Sequence, residues 1–243
     1  MGAAIVSSET RFSTSHSSFW NALLPMGDAY VRAQNATLER FAPPITSFAP
    51  ADQRGVINES AFLLFQEAMR CSKRPLSLSA DLVEGFIGQA LEYVARLRQT
   101  ARINPEEISD LGKLDAVLIA DRLYTFFSDE VSDVVVRPSF PGCGWVSDAE
   151  GDVLSGSTLY EVKAGQRYFR IADLRQILCY CALDFSAKRY GISKVSLINP
   201  RAGIVIREDL ESFCRKISGT ASEEVLGEII SYISEPFSRY QTV

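Results

Sequence analysis

The sequence predicts a mixed α/β fold: a mixed β-sheet flanked by helices, with a helical region ahead of it. Two observations predict it. Up to residue 128 the apolar residues recur at helical spacing, whereas from 129 onward β-branched runs bounded by turn residues take over. The order in that second part, β-β-β-α-β-β and then helices, suits one mixed sheet covered by helices. The expected organisation is therefore a helical region over 1–128 and a core with closing helices over 129–243.

Each element has its own signal. The Ser/Thr-rich start, about fifteen residues, is expected to be mobile. "SSFWNALLPMGDAYVRAQNATLERF", 17–41, reads as helix interrupted by Pro25 and Gly27, and a Pro-rich connection follows. "VINESAFLLFQEAMRCS" carries Ile57, Ala61, Leu64, Phe65 and Ala68 at helical spacing. "SADLVEGFIGQALEYVARLRQTA" predicts a helix starting near Ser79, with Leu82, Phe86, Ile87, Ala90 and Tyr93 as its stripe. In "NPEEISDLGKLDAVLIADRLYTFFSD" Asn104 is the expected N-cap and Pro105 the first helical residue. "DVVVRPSF", "WVSDAEGDVLSG" and "STLYEVKAG" are strands, the second interrupted or split in two. "RIADLRQILCYCALDFSAKRYG" predicts a helix with Leu174, Ile177, Leu178, Cys181 and Phe185 inward. "ISKVSLINPRAG" and "GIVIRED" are strands, and two helices close the chain.

Composition narrows the function classes. No apolar run reaches the length of a membrane span, and the start lacks a secretory pattern; Val6 stands where a myristoylation signal needs Ser or Thr. The expectation is a cytoplasmic protein with no membrane partner. Five cysteines, widely spaced except Cys179 and Cys181, make neither a disulfide framework nor a zinc pattern. The single histidine, His16, is expected to be solvent-exposed, which rules out histidine-rich metal sites and makes a Ser-His-Asp triad improbable. Chemistry must then fall to carboxylates and lysine, a cysteine nucleophile at Cys179 or Cys181 being disfavoured without a histidine. The net charge of −5 argues against a protein that coats nucleic acid non-specifically, but Tyr160 to Arg201 holds eight Lys/Arg against three acids.

Within that basic stretch one constellation stands out. Residues two apart on a strand face the same way, so Glu161 and Lys163 point together, with Leu159 on that face and Tyr160 and Val162 on the other. Asp152 opens the preceding strand. Two carboxylates repel unless a cation lies between them, and oxygen ligands suit Mg²⁺ or Mn²⁺. A cation, a phosphate and a lysine together point to metal-assisted phosphodiester hydrolysis.

Asp152, "EVK" at 161–163 and "DLRQILCYCAL" at 173–183 together resemble the PD-(D/E)XK nuclease superfamily, RecB-type branch. That pattern has an Asp opening a strand, a second strand ending Asp/Glu-x-Lys, and a helix with Gln-x-x-x-Tyr, here Gln176 and Tyr180. The likeness spans 130–206 and a helix near 55–70. The proline of the family name is absent, Gly151 preceding Asp152, and Ala149 replaces a glycine common in this branch. The resemblance implies a restriction-endonuclease-like sheet and a Mg²⁺- or Mn²⁺-dependent deoxyribonuclease. It implies that Asp152, Glu161 and the Val162 carbonyl bind metal, with Glu59 as a further candidate ligand and Asp148 and Glu150 as rivals of Asp152. It implies a catalytic Lys163, a Gln176 that positions water or phosphate, and a Tyr180 that contacts DNA or packs. Arg167, Arg170 and Arg175 of the basic stretch are the expected further DNA contacts. Such proteins serve restriction, repair, recombination, mobile elements and phage defence, often with a larger protein partner. The alternative is a nuclease fold without catalysis, acting as a nucleic-acid- or protein-binding regulatory subunit.

Overall fold

The computed structural model describes residues 7–47, 49–98, 108–130 and 132–235. The chain opens with three short helices, α1 (Glu9–Thr14), α2 (Ser17–Leu23) and α3 (Gly27–Ala36), and a two-residue strand β1 (Glu39–Arg40). Three long helices follow, α4 (Arg54–Cys71), α5 (Ala80–Arg98) and α6 (Asp110–Ser128). Then come β2 (Val134–Val136), β3 (Ser139–Phe140), β4 (Ala149–Glu150), β5 (Val153–Ser155) and β6 (Thr158–Val162). Helix α7 (Ile171–Ala187) leads to β7 (Lys194–Asn199) and β8 (Ile204–Asp209), and α8 (Leu210–Ser218) and α9 (Ser222–Ser234) close the chain.

Six strands form one sheet in the order β1-β8-β7-β6-β5-β2, in which β6 and β7 are parallel and every other pair antiparallel. β3 and β4 make a separate two-stranded ribbon. The parallel pair needs a crossover, which α7 supplies. The mixed sheet flanked by helices is thus the architecture expected from the residue order. No helix among the described residues is long and apolar enough to cross a membrane.

Two apolar cores lie on the two faces of the sheet, and strand alternation divides them. Leu159 packs into the core shared with α7, α8, α9 and the first three helices. Tyr160 and Val162 pack into the core shared with α4, α5 and α6. The helical first half therefore supplies cover to both faces, α1–α3 on one side and α4–α6 on the other.

Some elements differ from expectation. The described part of the N-terminal stretch is packed down: the Ser7 amide bonds to the Trp145 carbonyl at 2.9 Å, and Phe12 is fully buried. Helix α1 is too short to hold itself together, so this tertiary packing makes it. His16 is half-buried rather than solvent-exposed, stacked on Trp145 and hydrogen-bonded through Nδ1 to Tyr232 at 3.0 Å. On α5 the buried residues are Val83, Ile87, Ala90 and Leu91, while Leu82 and Tyr93 are exposed. The inward stripe is rotated from the expected one, because two overlapping apolar sets share this helix. Phe185 of α7 is also exposed. Asn104 and Pro105 lie outside the described residues; α6 is capped by Ser109, whose side chain accepts from the Gly112 amide at 3.2 Å.

One turn makes a sharp stability prediction. Gly203, between β7 and β8, has φ +66° and its carbonyl accepts the Phe41 amide at 3.0 Å. A β-carbon there would collide with the Ala42 carbonyl. Left-handed backbone and overpacking each cost about 1–3 kcal/mol. Gly203→Ala should therefore lower the melting temperature by roughly 10 °C in a thermal scan.

Candidate active site

Asp152, Lys163, Gln176 and Tyr180 line one cleft of about 590 Å³, and Glu161, which does not line it, is buried against Lys163. The strands place the acids. Asp152 precedes β5 and its Oδ2 accepts the Val162 amide of β6 at 2.7 Å. Glu161 is 2 % exposed and faces α7, as strand alternation requires. Lys163 Nζ donates to Glu161 Oε1 at 2.6 Å and to Gln176 Oε1 at 2.8 Å. The Gln176 amide nitrogen donates to Tyr180 Oη at 3.0 Å, one helical turn on. Tyr180 Oη in turn reaches Glu9 Oε1 at 3.4 Å, and its ring stacks on Phe140.

The electrostatics are those of a buried acid pair that one ammonium, Lys163, only partly offsets. Burial, and then the charge of Asp152, push the Glu161 carboxyl up to about 8 although Lys163 opposes them. Burial likewise raises Asp152, against the pull of Lys163, the Val162 amide and Arg137. Burial works to depress the Lys163 ammonium, but Glu161, Asp152 and Asp173 outweigh it and hold its pKa above the ordinary value. Glu161 Oε2 is buried and has no hydrogen-bond partner among the described residues. A buried carboxylate oxygen left unpartnered is costly, and a hard cation would satisfy it.

Among the described residues no group of three or more His, Cys, Asp or Glu side chains converges to hold a metal. Two carboxylates are nevertheless a fitting donor set for Mg²⁺, which keeps several waters and takes remaining ligands from substrate phosphate. The rest of the expected ligands are engaged otherwise. Glu59 lines the cleft but accepts from Arg137 Nη2 at 2.9 Å. Glu150 is exposed and lies 3.6 Å from Arg137 Nη1. Asp148 Oδ1 caps the Gly142 amide at 2.7 Å, which makes it a turn residue.

The arginines divide. Arg167 lines the cleft, held by Asp173 through two bonds of 2.6 and 2.7 Å. Arg170 is exposed at the N-cap of α7. Arg175 does not face the cleft: it is 8 % exposed, lies over the Trp20 ring and donates to Asn21 Oδ1 at 3.0 Å. One residue along a helix is a turn of about 100°, enough to carry Arg175 away from the face of Gln176. Arg201 is also buried, against Asp115. The basic stretch is therefore not one basic surface.

Three residues of this site escaped the sequence reading. Arg137, at φ +57°, bridges Glu59 and Glu150, and its amide bonds to the Asp152 carbonyl at 2.9 Å. Asp173 holds Arg167 and lies 4.0 Å from Lys163. Glu9 brings α1 to the cleft. Only Asp173 had a local signal, an acid in the first turn of a helix. The cysteines are all free, and burial drives the Cys179 and Cys181 thiols well above their ordinary pKa, so neither is a ready nucleophile. In comparisons with known proteins, no family model matches the chain and no curated protein gives a significant match.

Proposed function

We propose that the protein is a Mg²⁺- or Mn²⁺-dependent nuclease that hydrolyses phosphodiester bonds in DNA. The observation that carries this reading is the buried Glu161 Oε2 beside Asp152, without a hydrogen-bond partner among the described residues, with Lys163 one hydrogen bond away. Asp152 and Glu161 would hold the cation, and the Val162 carbonyl is a candidate third donor. A bound divalent cation supplies Lewis acidity toward a phosphate oxygen and a more acidic water. Lys163 stays protonated and has three N–H groups, two of them used on Glu161 and Gln176. The third is available to stabilise charge developing on the phosphate. Gln176 fixes the ammonium in place and is itself fixed by Tyr180. Arg137 and Arg167 also line the cleft wall, each held by acids, Arg137 by Glu59 and Glu150 and Arg167 by Asp173.

The test is incubation with linear and circular DNA in Mg²⁺ or Mn²⁺, beside Lys163→Ala. Cleavage that needs the metal and falls roughly 10²–10³-fold in the variant is the expected result. DNA binding without cleavage in either protein would favour the inactive, regulatory alternative instead.

A further inference from the structure

The loop after Lys163 has no regular secondary structure, yet five of the six carbonyls from Ala164 to Phe169 are held by side chains. Arg201 Nε donates to Ala164 at 3.0 Å, and Asn199 Nδ2 donates to Gly165 at 2.8 Å and Arg167 at 3.2 Å. Arg167 Nη1 donates to Tyr168 at 2.9 Å, and Asn35 Nδ2 donates to Phe169 at 2.9 Å. Asn199 and Arg201 are both buried, so the clamp is rigid. Among the described residues, no main-chain N–H from Ala164 to Phe169 has an acceptor in the chain; the next one, Arg170, bonds to Asp173 at 2.8 Å. At Gly165 an added β-carbon would meet only Arg167, at 3.7 Å, so the main chain there is open to approach.

Beside this loop runs a groove of about 360 Å³ that shares Gly165 and Arg167 with the cleft. Its wall includes Arg40, Arg167 and Arg201 and no acid. Arg167 and Arg201 are neutralised by Asp173 and Asp115, whereas exposed Arg40 has no acid partner among the described residues. Tyr168, on the same wall, is 57 % exposed. A large aromatic ring held out on a clamped loop, among free amides and an unpaired guanidinium, matches the two chemistries of a nucleotide: a flat base and an anionic phosphate.

We infer that this groove is a subsite for an unpaired DNA strand leaving the cleft, with a base stacked on Tyr168 and phosphates on Arg40 and the loop amides. The identity of the strand rests on the nuclease reading. An unpaired strand is implied, rather than a duplex, because only unstacked bases offer a free face to an aromatic side chain.

The test is fluorescence anisotropy in EDTA, where nothing is cleaved, with a labelled oligothymidylate and a blunt duplex of equal length. The wild type should prefer the single strand. Tyr168→Ala should weaken that binding roughly tenfold and leave the duplex unaffected, while Tyr168→Phe keeps it. Arg40→Gln should weaken both, lowering the salt slope for the single strand by about 0.7. Equal affinity of wild type and Tyr168→Ala, preference for the duplex, or no binding of the oligothymidylate would each overturn the inference. Single-strand binding that depends on Tyr168 in a protein that cleaves no DNA would sustain the subsite and reject the nuclease.

Discussion

Glu161→Gln is expected to do two opposite things: lower metal-dependent cleavage roughly 10²–10³-fold and stabilise the metal-free protein at pH 8. The first effect follows from removing a proposed ligand. The second follows from the cost of the acid pair. In the fold the Glu161 carboxyl is pushed up to about 8 by burial and by Asp152, against 4.5 for an unperturbed Glu. A carboxyl whose folded pKa is raised favours the protonated form in the fold. Its contribution is thus fully present below pH 4.5 and is lost as pH rises toward 8. At about 1.4 kcal/mol per pKa unit, the loss is several kcal/mol at most. Asp152, also raised by burial, adds to the loss with the same sign. Metal-free wild type should therefore melt lower at pH 8 than at pH 5, and Glu161→Gln should flatten that difference. Added Mg²⁺ or Mn²⁺ should restore the wild type at pH 8 and leave the variant unmoved. A wild-type melting temperature that is level from pH 5 to 8 would remove the electrostatic case for the site.

These residues were legible because their relations are local. Glu161 and Lys163 share a face by strand alternation, Gln176 and Tyr180 by one helical turn, and Asp152 directly precedes the neighbouring antiparallel strand. Arg137 was hidden because its partner Glu59 is 78 residues away, and Glu9 because it meets Tyr180 across 171 residues. Periodicity told helix from strand in the second half, but "DVVVRPSF", read as one strand, splits into β2 and β3 of separate sheets, and β1 of the mixed sheet lies in a stretch read as helix. On α5 it could not choose between Leu82 and Val83 as the inward residue, since burial there is decided by α4 and the residues around it. Charge was the least legible property. Lys163, Arg175 and Arg201 all count toward a basic stretch, yet each is enclosed by partners from other elements.

Arg201 shows what that enclosure does, and Arg201→Ala is the change away from the acid pair expected to cost most stability. Arg201 and Asp115 are 2 % and 1 % exposed. Arg201 Nη1 bonds to Asp115 Oδ2 at 3.2 Å, Nη2 to Asn58 Oδ1 at 3.3 Å, and Nε to the Ala164 carbonyl. Ser47 also donates to Asp115, at 2.8 Å. One guanidinium thus joins α6, α4 and the loop that follows Lys163. Removing it leaves Asp115 charged and buried, at a cost of about 3–5 kcal/mol, and the melting temperature should fall by roughly 10 °C. Replacing both partners with apolar residues, Arg201→Met with Asp115→Leu, should recover much of that loss, because no buried charge is then left unpaired. It does not recover the donor to Ala164. If the clamped loop sets the position of Lys163 and Tyr168, the double variant should regain stability while cleavage and single-strand binding stay low. Full recovery of both with stability would mean that the pair serves the fold alone.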